Sequence, residues 1–270
     1  MTLIDHAKRL RSAAVERLHP QRVVFHHVPK CGGTSVARAL RKRYLLSQAT
    51  IDPEASFRAL EAFSGSQDRQ ALLVDVVDLR EQMLLYHLFE DVHCISAHVR
   101  FSQPAHERFR SRYKFVTILR EPVSRFLSNY TWSYGKPQAH ARIEEPFREF
   151  LRTERAKRLG ATYVEFFCGL PKSADFRSPQ AVEAAVTNLG KFDVVGRLDD
   201  LPEFETQMNR TLGIRLKVGH ENRTTKRTAA TDALADPELK AEIMDLCAPD
   251  IAVWDRFEQL RAASQPALAV

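Results

Sequence analysis

The sequence is poor in the features that would set it apart from ordinary folded chains. It has four cysteines in 270 residues, Cys31, Cys94, Cys168 and Cys247, each more than 60 positions from the next. That spacing excludes CxxC and CxxH zinc patterns and a disulfide-dense framework, so reduced thiols and a cytoplasmic setting are expected. Ten glycines and 13 prolines exclude collagen-like and low-complexity architectures. No run approaches the ~20 apolar residues of a membrane-spanning helix. The opening, MTLIDHAKRLRSAAVERLHP, has no apolar signal-peptide core. There is no helix-turn-helix cue, zinc finger or aromatic RNA-binding signature, so nucleic acid is not an expected partner. The GxxxxGK[ST] loop of nucleoside triphosphatases is also absent.

What remains is globular. With 44% hydrophobic and 27% charged residues, the chain is expected to form one domain over 1–270. A domain of that size buries roughly three quarters of its unfolded surface without a covalent or metal staple. Leu3, Ala7, Leu10, Ala14 and Leu18 recur at helical spacing, so residues 1–20 read as a leading amphipathic helix.

The net charge of +6 is unevenly spread. Residues 1–43 carry +8, residues 100–125 carry +5 and residues 215–227 carry +4, whereas 44–99 carry −6. If the fold gathers the three basic segments, they form a pocket for a polyanion; otherwise they are solvated faces.

Strand and helix signals alternate. Arg22–Val28 is a β-branched apolar run and reads as a buried strand. Val36, Ala39, Leu40 and Tyr44 form one face of a following helix, with Thr34 and Ser35 as its capping hydroxyls. Loops and a weak helix are expected over 50–70, a strand at Leu72–Val77 and a helix at Leu79–Phe89. His93–Ala97, Lys114–Leu119 and Asp193–Leu198 read as further strands, and Pro122 opens a helix. Beyond 145 the chain is mostly helical. The pattern predicts an α/β fold of P-loop-like, three-layer type: a mainly parallel central sheet flanked by helices, with a helical C-terminal half. In such sheets ligands bind beyond the carboxyl ends of the strands, here after Val28 and after Leu119.

The first junction is Pro29-Lys30-Cys31-Gly32-Gly33-Thr34-Ser35. Glycines let the backbone wrap a ligand, free amides at a helix N-terminus favour an anion, and a lysine adds charge. The second junction places Arg120 where a magnesium-dependent nucleoside triphosphatase would keep an acid. Arg125 and Ser128 follow three residues apart on a helix, so they can share a face and hold another phosphate.

Together the two segments resemble sulfotransferases that use 3′-phosphoadenosine 5′-phosphosulfate. VPKCGGTS is similar to their 5′-phosphosulfate loop, and FVTILREPVSRFLSNY to their 3′-phosphate motif. The form of both is nearest the branch holding heparan sulfate 2-O- and 6-O-sulfotransferases and their bacterial relatives. CISAHVRF, FDVVGRLDDL, HENRT and PDIAVWDRF extend the resemblance over roughly residues 22–258. Ala97 stands where relatives often carry Gly, and Thr224 where they often carry Ser.

The resemblance implies a set of roles. Pro29, Lys30, Cys31, Gly32, Gly33, Thr34 and Ser35 would hold the 5′-phosphosulfate, with Lys30 stabilising the departing phosphate. Arg120 and Ser128 would bind the 3′-phosphate, and adenosine 3′,5′-bisphosphate would be the product. No metal is implied. The acceptor would be a hydroxyl of a carbohydrate or glycolipid, and His98 would be its general base, with His27 as the alternative. Asn222 and Arg223 could close over the nucleotide, or form a surface turn. Trp132, Tyr134, Tyr163, Phe166 and Phe167 are available to stack on a sugar or to pack in the core. Two other classes stay open on the residues alone: a P-loop-type kinase or nucleoside triphosphatase, and a non-catalytic polyanion-binding module.

Overall fold

A computed structural model describes residues 16–17, 21–137, 141–219 and 233–264. The expected leading helix over 1–20 therefore lies outside the described residues apart from Glu16 and Arg17, as do Asn222 and Arg223.

Five strands form one sheet: β1 (Arg22–His26), β2 (Gln48–Ile51), β3 (Cys94–Ala97), β4 (Tyr113–Leu119) and β5 (Val194–Arg197). Their order is β2-β3-β1-β4-β5, and every neighbouring pair is parallel. The central strands read as continuous apolar runs because both of their faces are covered: Val23, Val24, Phe25, Val116 and Ile118 are fully buried. His26 is level with Ala97 of β3 and Thr117 of β4, so the carboxyl ends of the three central strands share one edge of the sheet.

Helices α1 (Gly33–Arg43), α2 (Pro53–Ser64), α3 (Arg69–Phe89), α4 (Gln103–Phe109) and α5 (Pro122–Ser133) alternate with the first four strands. The C-terminal half is helical, as its sequence predicts. It comprises α6 (Phe147–Leu151), α7 (Glu154–Gly160), α8 (Thr162–Phe167), α9 (Pro179–Leu189), α10 (Leu201–Leu212) and α11 (Pro237–Ser264), with β5 between α9 and α10. A second apolar cluster lies under α5, where Phe126 and Tyr130 pack with Phe147, Phe150, Ile243 and Cys247.

Two expectations are corrected. Leu72–Val77 is helical, inside α3. Asp68 caps that helix by accepting from the amides of Gln70 and Ala71, and Leu72 and Val76, one turn apart, bury one face against Phe57 of α2. The short edge strand β2 runs into the start of the region read as loop and weak helix, and α2 within that region is a full helix capped by Asp52.

Candidate active site

The loop between β1 and α1 turns twice through the left-handed region, at Lys30 (φ 67°) and at Gly32 (φ 75°). Glycine adopts that conformation freely, but a lysine held there costs of order 1–3 kcal/mol, a strain that tends to persist at functional sites. The two glycines are also required by space. A Cβ on Gly32 would lie 2.4 Å from Leu198 Cδ1, and one on Gly33 would lie 2.0 Å from His27 Cδ2. Gly32 is the N-cap of α1 and no side chain caps the helix, so the expected capping by Thr34 or Ser35 does not occur. The amides of the first turn, lacking a side-chain acceptor, face the loop with the positive end of the helix dipole. Thr34 is exposed, Ser35, Pro29 and Lys30 are half-buried, and Cys31 is fully buried.

At the neighbouring strand, β4 ends at Leu119 and Arg120 follows. Glu121 caps α5 by accepting from the amides of Val123 (2.8 Å) and Ser124 (2.7 Å). The carboxylate is thus occupied by its own helix. Arg125 does not share an open face with Ser128. It is fully buried, donates to the carbonyl of Leu159 and pairs with Asp250 of α11 at 3.2 Å. That corrects the expectation that Arg125 contributes to phosphate binding: its guanidinium points into the core, where a buried carboxylate needs a partner. Ser128 stays half-buried on α5.

Tyr163, the second residue of α8, ties the two junctions together. Its hydroxyl accepts from the Arg120 amide (2.9 Å), donates to the Arg120 carbonyl, and lies 3.5 Å from Cys31 Sγ. Burial pushes the Cys31 thiol up to about 11, so it remains protonated. Asp250 accepts from the backbone amides of Tyr163 (2.7 Å) and Val164 (3.2 Å), which fixes the start of α8.

Lys30 sits among other cations. Its ammonium lies 4.8 Å from the centre of the Trp132 ring, and Lys136 approaches the same ring at 4.6 Å. Desolvation lowers the Lys30 pKa to about 8, and the nearby charges of Arg120 and Lys136 push the same way. Lys136 is a cation of this site that the sequence reading did not single out. Nothing in its local sequence distinguishes it from other surface lysines.

The histidines sort by position. His26 is buried in the core, edge-on to Phe192 and tilted against Phe115. The His27 amide donates to the Ala97 carbonyl (2.8 Å), and its ring stacks on His98 at 4.0 Å between centroids. Desolvation, with Arg41 and Lys30 nearby, lowers the His27 pKa to about 4. His98, directly after β3, is half-buried at the sheet edge that also presents Lys30 and Arg120.

Residues 17–255 match the sequence profile of the sulfotransferase family. The chain belongs to that family. Among curated proteins, none matches the chain. A solved structure described as a sulfotransferase from Alicyclobacillus acidocaldarius aligns with a TM-score of 0.48 at 18% identity, covering 89% of this chain and 95% of that one. A likeness that distant carries no residue role across, so the roles of this family member rest on its own geometry. Among its described residues, no helix is long and apolar enough to cross a membrane. No cluster of three or more His, Cys, Asp or Glu side chains is placed to hold a metal ion among them.

Proposed function

We propose that this protein transfers a sulfuryl group from 3′-phosphoadenosine 5′-phosphosulfate to a hydroxyl of a carbohydrate or glycolipid, by in-line displacement. The observation that carries the reading is the pairing of the two junctions. An uncapped, glycine-lined helix N-terminus with Lys30 lies beside a strand end bearing Arg120, close enough for the two cations to repel. Cations held within repelling range of each other at neighbouring strand ends call for an anionic ligand, and a donor with phosphates at both ends meets that demand.

In this reading the first-turn amides of α1, with Thr34 and Ser35, hold the 5′-phosphosulfate, and Arg120 with Ser128 holds the 3′-phosphate. The acceptor oxygen attacks sulfur as the bond from sulfur to the bridging phosphate oxygen breaks. Lys30 stabilises the charge that grows on that phosphate, an interaction stronger in the transition state than before it. His98 takes the acceptor proton. His27 suits that role less well, because desolvation weakens it as a base and its ring is wedged against Gly33. Instead it supports the His98 ring from behind.

Ligand-binding calorimetry tests the reading. Adenosine 3′,5′-bisphosphate should bind ten- to a hundredfold more tightly than AMP, since a charge-assisted contact set is worth about 1.5–3 kcal/mol. Arg120→Ala should remove most of that preference and leave AMP binding little changed. Sulfate transfer should persist in EDTA. Equal affinities for the bisphosphate and AMP would overturn the assignment, and a requirement for Mg²⁺ would favour a kinase-type site.

A further inference from the structure

We propose that Tyr163 is a positioning residue of the donor site, whose hydroxyl fixes the separation between the Lys30 loop and Arg120. The proposal rests on the functional reading above and deepens it. Tyr163 would touch neither donor nor acceptor and would act through the two segments it joins.

The polar partners of the hydroxyl are the observation. A tyrosine buried in a core needs its O–H satisfied, and any nearby carbonyl would serve. Here the donor and acceptor bonds of the hydroxyl both go to the backbone of Arg120, and its remaining neighbour is the thiol of Cys31. Arg120 lies just past the end of β4, beyond the last strand residue that the β4–β5 ladder pairs. Its amide therefore takes from Tyr163 the partner that the sheet no longer supplies. The ring is held on its other sides as well. Asp250 anchors the amides of Tyr163 and Val164, and the Arg125 guanidinium sits 5.4 Å from the ring centre while pairing with the same Asp250. Four separated parts of the chain thus meet at one tyrosine: the β1–α1 loop and the end of β4 at its hydroxyl, α5 at its ring and α11 at its backbone amide.

Such a link sets the distance between two anion sites before any ligand arrives. Preorganisation of that kind favours a ligand that must occupy both sites, and does little for one that occupies a single site. Without the hydroxyl, the packing of the ring can survive while the Arg120 backbone loses its clasp.

The test compares Tyr163→Phe with the native protein in calorimetry against adenosine 3′,5′-bisphosphate and AMP, alongside steady-state kinetics. The expected result is a ten- to a hundredfold loss of bisphosphate affinity, the range for leaving a buried backbone group unpaired, with AMP affinity changed less than about twofold. KM for the donor should rise by a similar factor, with kcat held within about threefold. A merely structural role would lower the melting temperature and leave the bisphosphate-to-AMP ratio where it was; that outcome overturns the proposal alone. Equal affinities in the native protein overturn the functional reading and the proposal with it. Should Tyr163→Phe fail to fold, amide hydrogen exchange of the native protein decides. The Arg120 amide should be strongly protected without ligand, and exchange as fast as an open loop would overturn the proposal.

Discussion

The two strand-to-helix junctions share one architecture and resolve it in opposite ways. After β1, the chain enters α1 through two left-handed turns and leaves the first amides of the helix without a side-chain partner. After β4, the chain enters α5 through Glu121 and Pro122, and the Glu121 carboxylate takes two of those amides. The first junction presents backbone; the second has satisfied its backbone and presents a side chain, Arg120, held from behind by Tyr163. Basic residues near a helix start are therefore not equivalent. Lys30 faces other cations at the open edge of the sheet, whereas Arg125 is buried against Asp250. The contrast predicts where substitutions strike chemistry and where they strike stability.

The largest effect is expected at the open edge. His98→Ala should lower kcat by about 10²–10⁴, the range for positioned base catalysis, with normal binding of adenosine 3′,5′-bisphosphate. His98→Asn should not restore the rate, since an amide cannot take the proton. An active His98→Ala enzyme would move the base elsewhere and leave the donor site standing.

Next comes the inward-facing cation of the second junction. Arg125→Met strands the buried Asp250 carboxylate and should cost about 3–5 kcal/mol in denaturant unfolding. Adding Asp250→Leu should recover part of that loss, less the two backbone amides that Asp250 now serves. If Arg125→Met were as stable as the native protein but weak in binding bisphosphate, Arg125 would belong to the ligand site after all.

Lys30→Ala should lower kcat by roughly 10²–10³, the range for removing one preorganised donor, while donor affinity falls less. The pH dependence gives a second handle. The Lys30 pKa is lowered to about 8, so the ammonium is present below that value and is lost above it. kcat/KM for the donor, which reports the free enzyme, should fall as pH rises through about 8. Bound anions favour the charged form, so the corresponding fall in kcat should lie at higher pH. An alkaline limb that survives in Lys30→Ala would assign the titration to another group.

How much of this was legible in the sequence follows the range of the interactions. The parallel sheet and both junctions could be read because each rests on local pattern: β-branched runs such as Arg22–Val28, a glycine pair, and proline at the first turn of α5. Leu72–Val77 misled because LLVDVV is as apolar and β-branched as a strand. Its helical fate is set by the Asp68 cap and by packing on Phe57, more than ten residues away in sequence. The strand β2 has only four residues at a sheet edge, too few to show a period. Arg125 was misplaced because its partner is 125 residues distant, and the link from Tyr163 to Cys31 spans 132. Those positions acquire meaning only when the chain is folded.

The smallest effect bears most directly on the contrast between the junctions. Glu121 is exposed and accepts from two amides, so Glu121→Ala should cost about 1 kcal/mol, as loss of an N-cap does. In a protein of this size that lowers the melting temperature by about 2 °C. No comparable loss is available at the first junction, where Gly32 contributes no cap to remove. The binding readout separates two accounts of the 3′-phosphate. If Arg120 and Ser128 hold that phosphate through side chains, bisphosphate affinity in Glu121→Ala should stay within about twofold of native, because the freed amides are not part of the site. If those amides were also aimed at the ligand, removing the carboxylate would uncover a helix N-terminus and delete a negative charge beside the phosphate. Bisphosphate binding would then tighten severalfold, and the second junction would have to be read as a masked copy of the first.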